Sequence, residues 1–157
     1  MDKMPITAEG LARLQEELRR LKAVERPGVI RALEEARTHG DLAENAEYHA
    51  ARERQSFIEG RVAELEDKIR RAEVIDVSKL TGKAVKFGAT VDLVDIDTDE
   101  EVTYVIVGAE ESDITSGKLS VLSPLARGLI NKEVGETVEV PTPRGSKVYE
   151  ILKVRFK

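Results

Sequence analysis

Two kinds of hydrophobic pattern divide the chain. Up to about residue 76, apolar residues recur every three or four positions, and this spacing predicts α-helices. Beyond that point, apolar and polar residues alternate in short runs that turn residues separate, and this spacing predicts strands. We therefore predict an α+β fold with two domains, 1–76 and 77–157.

The N-terminal pattern predicts two helical arms that pack on each other. Thr7 is placed to cap the first helix, and Pro27 predicts either one kinked helix or two helices in line. Neither apolar stripe can be buried alone, so we predict an antiparallel helical hairpin of the coiled-coil type. The stripes consist of Leu11, Leu14, Leu18 and Leu21 in the first arm and of Ile58, Val62, Leu65, Ile69 and Ala72 in the second.

The turn between the arms forms the tip of the predicted hairpin. Gly40 suits the left-handed end of one helix, and Asp41 suits the cap of the next. Arms of about 30 residues would each be about 45 Å long. Packing alone does not require arms of this length. The length therefore indicates that the arms serve to place the tip far from the rest of the protein.

The C-terminal pattern predicts a small antiparallel β-sheet with one short helix. Ser123 and Pro124 mark the start of that helix, as a capping residue followed by proline at the first helical position. The predicted strands are 84–87, 90–96, 102–107, 119–122, 137–140 and 148–156.

The amino-acid composition excludes several classes of function. The chain has 157 residues and a net charge of −5, which excludes nucleic-acid binding by broad neutralisation of phosphates. It has no cysteine, so disulfides, thiolate zinc sites and cysteine nucleophiles are excluded. No apolar run is long enough to span a membrane, and the N-terminus lacks the apolar core of a signal peptide. We expect a cytoplasmic protein without a membrane partner.

Two carboxylates lie at the predicted tip. Asp41 and Glu44 are three positions apart at a helix start, so they can converge on one hard cation. The same spacing matches a capping box, and spacing alone favours capping. Mg²⁺ takes six oxygen ligands, so two carboxylates can only complete a site that a partner largely owns. A self-contained metalloenzyme is not expected.

Cations and rings flank the acidic pair. Arg37 and Arg52 can hold phosphates, although i,i+4 ion pairing and solvation explain them equally well. Tyr48 can stack on a base or close the hairpin tip, and the second use is the commoner. His39 and His49 lack the spacing of a metal motif, so we expect them to be solvated or packed.

Three blocks of sequence resemble the bacterial Gre transcript-cleavage factors, in the same order and along essentially the whole chain. They are 39–53, 72–76 and 120–130, the last followed by Gly135-Glu136. The resemblance implies an N-terminal coiled coil and a C-terminal domain similar to FK506-binding proteins. It implies a monomer that binds RNA polymerase at the rim of the secondary channel and inserts its coiled coil.

The resemblance also implies a role for the tip. Asp41 and Glu44 are expected to position Mg²⁺ jointly with the polymerase, with no cofactor bound by the chain alone. The polymerase, and not this chain, would be the enzyme that cleaves backtracked RNA and so rescues arrested complexes. Contacts with the RNA 3′ end are expected from Arg37, Asn45, Tyr48 and Arg52. Contacts with the rim are expected from Ser123, Pro124, Ala126 and Arg127, unless Ser123-Pro124 merely caps its helix.

Two alternatives remain at this point. A Gre-like protein could occupy the same channel and inhibit the polymerase without stimulating cleavage. Such a protein is expected to depart from the tip sequence Gly-Asp-Leu-x-Glu-Asn, which this chain keeps at residues 40–45. The C-terminal fold also suggests a peptidyl-prolyl isomerase, which would need an aromatic-lined pocket. Few aromatic residues are available there, namely Phe87, Tyr104, Tyr149 and Phe156.

Overall fold

The computed structural model of the protein describes residues 2–156. Within this range it contains four α-helices and seven β-strands. The helices are α1 (Ala8–Arg20), α2 (Arg26–Arg37), α3 (Ala46–Arg71) and α4 (Pro124–Leu129), and the strands are β1 (Met4–Ile6), β2 (Ala72–Val74), β3 (Ala89–Asp95), β4 (Glu101–Val107), β5 (Lys118–Ser120), β6 (Thr137–Thr142) and β7 (Gly145–Phe156). The predicted α+β fold is confirmed. No helix between residues 2 and 156 combines the length and apolar character needed to cross a membrane.

The chain forms two compact units. The helical unit contains Leu11–Ala72, and the sheet unit contains Lys3–Gly10 together with the chain from Glu73 onward. The predicted boundary after residue 76 lies close to this division, but the N-terminal segment packs with the sheet unit. The reason is β1, which pairs with β2 in a two-stranded sheet and buries Ile6. Strands of three residues are too short to show an alternating pattern.

The helical unit is an antiparallel hairpin. Its buried side chains lie along one stripe on each arm, at Leu14, Leu21, Val29, Leu33 and Ala36 and at Ala51, Ile58, Val62 and Leu65. Ion pairs join the arms at Lys22–Glu66 (2.8 Å) and Arg26–Glu59 (2.7 Å), so residue numbers rise along one arm and fall along the other. Each stripe is buried by the other, as the spacing predicts.

A π-helical turn, Leu21–Glu25, separates α1 from α2. The N–H of Arg26 bonds to the carbonyl of Leu21, five residues back. Pro27, at the start of α2, has no N–H to offer the helix ladder. Leu14 and Leu21 are seven positions apart, whereas Leu21 and Val29 are eight apart. The π-turn takes up this extra residue and keeps both sides of the interruption on one buried stripe.

The sheet unit contains a five-stranded sheet in the order β5-β4-β3-β7-β6. Its neighbouring strands are antiparallel except β4 and β5, which are parallel. One face packs against α4, and the core includes Val91, Leu93, Ile106, Leu129 and Ile151, all fully buried.

Two details of the predicted sheet are wrong. The sheet is not wholly antiparallel, because the segment 108–117 brings the chain back alongside β4, so that β5 begins with Lys118 opposite Val105. A crossover of this kind leaves no mark in the alternation of β5 itself. The segment 84–87 is not a strand, because Ala84 makes only an isolated bridge with Glu133. Val85 is nevertheless buried, and its N–H bonds to the carbonyl of Lys132 at 2.8 Å.

A buried carboxylate fixes the N-terminal segment within the sheet unit. Thr7 caps α1 as predicted, because its hydroxyl oxygen accepts a hydrogen bond from the N–H of Gly10 at 3.0 Å. The Thr7 hydroxyl in turn donates to Glu111. Glu111 also accepts from the N–H groups of Thr7 (3.1 Å) and Gly108 (3.0 Å), and only 6% of it is exposed. These donors satisfy a carboxylate that would otherwise be costly to bury.

Candidate functional site

The first arm of the hairpin ends in a closed turn. The N–H groups of Thr38 and His39 bond to the carbonyls of Glu35 and Ala36, each at 3.1 Å. Gly40 follows with φ +100°, the left-handed conformation predicted for it. The chain can therefore reverse direction without straining a side-chain-bearing residue.

Asn45, and not Asp41, caps the second arm. Its side-chain oxygen accepts from the N–H of Tyr48 at 3.0 Å, and its amide nitrogen donates to the carbonyl of Ala36 at 2.7 Å. The prediction that Asp41 caps this helix is wrong. An aspartate can accept a capping hydrogen bond but cannot also donate to the other arm, whereas an asparagine does both. The capping box of Asp41 and Glu44 does not form, because α3 begins only at Ala46.

The two carboxylates lie in an exposed turn ahead of the helix. Asp41 accepts from the N–H of Ala43 at 3.0 Å through Oδ1, as in an Asx turn. Glu44 is exposed, and among the described residues its carboxylate has no hydrogen-bond or ion-pair partner. Both side chains are therefore open to a ligand. Their oxygens suit Mg²⁺, but the described part of the chain brings no third His, Cys, Asp or Glu near enough to form a metal cluster.

The cations and the tyrosine at the tip take up different positions. The guanidinium of Arg37 lies 5.9 Å from the ring centroid of Tyr48, a cation–π contact, and it makes no ion pair with Asp41 within residues 2–156. Tyr48 is half-buried, so it helps to close the tip. Arg52 is exposed and donates to Gln55 at 3.3 Å. Arg37 and Arg52 thus present positive charge near the acidic turn, while Asn45 and Tyr48 hold the hairpin together.

The histidines have contacts that sequence reasoning did not find. His49 Nε2 lies 3.0 Å from the carbonyl oxygen of Ala43, and His39 Nε2 lies 3.9 Å from the Glu47 carboxylate. Only the path of the turn brings His49 to Ala43. This contact could have been predicted only if the start of α3 had been placed correctly, at Ala46.

The start of α4 is a capped helix, as one of the two alternatives predicted. The hydroxyl oxygen of Ser123 accepts from the N–H of Ala126 at 3.2 Å, and the hydroxyl donates to the carbonyl of Ser120 at 2.7 Å. Pro124 and Arg127 are exposed. Ala126 is fully buried, so it presents no side chain at this surface, and its contact with the rim stays a prediction. Leu122, which the prediction omitted, is 60% exposed beside them.

The sheet unit offers little support for an isomerase site. A cavity of about 350 Å³ is lined by residues none of which is aromatic: Gly82, Lys83, Glu133, Val134 and Val154. Tyr104, Tyr149 and Phe156 instead pack against the hydrophobic core. Burial raises the pKa of the Tyr104 hydroxyl, as expected of a ring that belongs to a core.

Comparison with known proteins identifies the family. The family model for the N-terminal domain of transcription elongation factors matches residues 4–74, and the C-terminal GreA/GreB model matches residues 80–156. The transcription elongation factor GreA of Caulobacter sp. (strain K31) is 65% identical over 156 residues, which cover 99% of both chains. The chain belongs to the GreA/GreB family of transcription elongation factors.

A second relative agrees with this membership. GreA of Rhodospirillum rubrum is 62% identical over 99% of both chains. A solved structure of Gfh1 from Thermus aquaticus is similar at 25% identity over 99% of both chains, with a TM-score of 0.45. The two family models and the GreA relatives confirm the resemblance seen in the sequence. As a GreA/GreB-family elongation factor, the chain is an accessory protein and not an enzyme in its own right.

Proposed function

We propose that this elongation factor binds RNA polymerase, inserts its hairpin through the secondary channel and stimulates cleavage of backtracked RNA. The tip carries this proposal, because it presents Asp41 and Glu44 as two open carboxylates that do not complete a metal site alone. A 26-residue helix such as α3 is about 39 Å long, enough to carry the tip deep into a channel.

The residues of the tip have separate tasks in this mechanism. Asp41 and Glu44 supply carboxylate oxygens to a Mg²⁺ that is held mainly by the polymerase. Bound Mg²⁺ supplies the Lewis acidity that makes water a better nucleophile at a phosphodiester. Arg37 and Arg52, both exposed, contact phosphates near the RNA 3′ end. The chain thus contributes ligands and orientation, and the polymerase performs the cleavage.

The start of α4 supplies a second contact with the polymerase, at the rim of the channel. Ser123 contributes by setting the helix start, through its hydrogen bonds with Ser120 and Ala126. The surface itself consists of Pro124 and Arg127 with the neighbouring Leu122. An apolar side chain beside an arginine is typical of a protein interface.

We further infer that the factor acts as a monomer in the cytoplasm. The hairpin buries its apolar stripes by pairing its own two arms, so this part of the chain needs no second copy. Light scattering on the purified protein should give the molar mass of one chain, 17.4 kDa. A mass of twice that value would contradict the inference.

Cleavage of labelled RNA in stalled, backtracked polymerase complexes tests the proposal. Asp41→Asn and Glu44→Gln should each slow 3′-fragment release roughly tenfold or more, because each removes a negatively charged metal ligand. Binding to the polymerase should be retained, because asparagine keeps the oxygen that accepts from Ala43 and Glu44 is exposed. Unchanged cleavage by both variants would refute the role of the tip. If the unmodified factor instead suppressed the polymerase's own cleavage, the inhibitor alternative would replace this proposal.

A further inference from the structure

Ala43 connects two hydrogen bonds at the tip. Its N–H donates to Oδ1 of Asp41, and its carbonyl oxygen lies 3.0 Å from Nε2 of His49. A carbonyl can only accept, so Nε2 of His49 must carry the proton in this contact. One backbone residue thus couples the imidazole of His49 to the carboxylate of Asp41.

We propose that His49 is a positioning residue for Asp41, a role that rests on the cleavage function proposed above. Residues 41–44 are all exposed, so hydrogen bonds and not packing must fix the shape of this turn. Asn45 holds the turn at its C-terminal end through the carbonyl of Ala36. His49 holds it in the middle, at the carbonyl of Ala43, the residue whose N–H bonds to the carboxylate.

The imidazole is well placed to act as a fixed support. His49 lies in the first turn of α3, a helix whose start is secured by the Asn45 cap. Its ring meets the ring of Tyr48 edge-on, with 5.8 Å between centroids, and Tyr48 in turn lies beside the guanidinium of Arg37. A donor held in this way can restrict the peptide that follows Ala43 and, through the backbone of Ala43, the orientation of Asp41.

Two substitutions separate the hydrogen bond from the ring. His49→Phe keeps an aromatic ring of similar size but removes the donor. His49→Gln replaces the ring but places an amide N–H near the position of Nε2. At saturating factor, His49→Phe should lower the maximal rate of RNA cleavage about fivefold, the value that corresponds to one lost hydrogen bond. His49→Gln should stay within about twofold of the unmodified factor, and the half-saturating factor concentration should not change in either variant.

A measurement without polymerase makes the test independent of activity. In the free full-length protein, ¹⁵N relaxation should show larger motion of the Ala43 amide in His49→Phe than in His49→Gln. The proposal would be overturned if the motion of the Ala43 amide were unchanged in His49→Phe. It would also be overturned if the two His49 variants gave the same maximal rate of RNA cleavage. Asp41→Asn serves as the reference. If it cleaves normally, the role of Asp41 in the proposed function fails, whereas normal cleavage by His49→Phe beside an impaired Asp41→Asn refutes only the positioning role.

Discussion

Replacing Asn45 should destabilise the hairpin, because its side chain makes two hydrogen bonds with different parts of it. The cap on Tyr48 N–H is worth about 1 kcal/mol. The bond across the arms to Ala36 is worth about 1 kcal/mol more. The carbonyl of Ala36 also accepts the N–H of His39, so it is not left unpaired when Asn45 is lost. Asn45→Ala should therefore lower the free energy of unfolding of the hairpin by about 2 kcal/mol.

Asn45→Asp provides the matched control. Aspartate keeps the capping acceptor and loses only the donor to Ala36, so the expected loss is about half as large. Urea unfolding followed by circular dichroism at 222 nm reports the helices, and amide exchange of Tyr48 reports the cap directly. An alanine variant as stable as the unmodified protein would refute this reasoning. Equal losses in the two variants would show that the cap contributes nothing.

Two further predictions concern other contacts. Gly10→Ala should cost about 1–3 kcal/mol of stability in thermal unfolding, because a Cβ there would collide with Glu111. Gly60→Ala in α3 is the control, because a Cβ there meets no atom and should not destabilise the protein. The Arg61 guanidinium lowers the pKa of Glu17, so their ion pair should stabilise above about pH 4.5 and be lost as the pH falls below it. Solvent screening limits this pair to about 0.5–1 kcal/mol. The melting-temperature difference between the unmodified protein and Glu17→Gln should be smaller at pH 3 than at pH 7; a difference that is as large at pH 3 would contradict the assignment.

The helical hairpin could be predicted because its information is local and periodic. The stripes that include Leu14, Leu21 and Leu65 follow from spacing alone, and Pro27 indicates the interruption. The π-turn was not predictable in detail, since a one-residue excess can be taken up in several ways. The direction of β5 depends on how segment 108–117 turns back alongside β4. The hydrophobic pattern of the sequence contains no signal for that path.

The tip shows a different limit. Asp41 and Asn45 are equally good capping residues by type, so the local pattern could not choose between them. The choice depends on the Asn45 donor and the Ala36 carbonyl, a contact between the arms that exists only once they are paired. Moving the helix start from Asp41 to Asn45 also creates the contact between His49 and Ala43. The acidic residues of the site could thus be predicted from the sequence. The turn that holds them could not, because it depends on this one tertiary hydrogen bond.

The distribution of charge along the hairpin supports placing the function at its tip. Between the arms, Arg61, Arg26 and Lys22 each bond to a glutamate and lower its pKa: Glu17, Glu59 and Glu66, respectively. Asp41 and Glu44 differ, because neither has a cationic partner among residues 2–156. Folding gains no ion pair from these two exposed carboxylates, and only Asp41 makes a hydrogen bond, with the N–H of Ala43. An arginine or lysine paired with them would compete with a metal ion for the same oxygens, so a tip that must give its ligands to another protein's active site has to leave them unpaired.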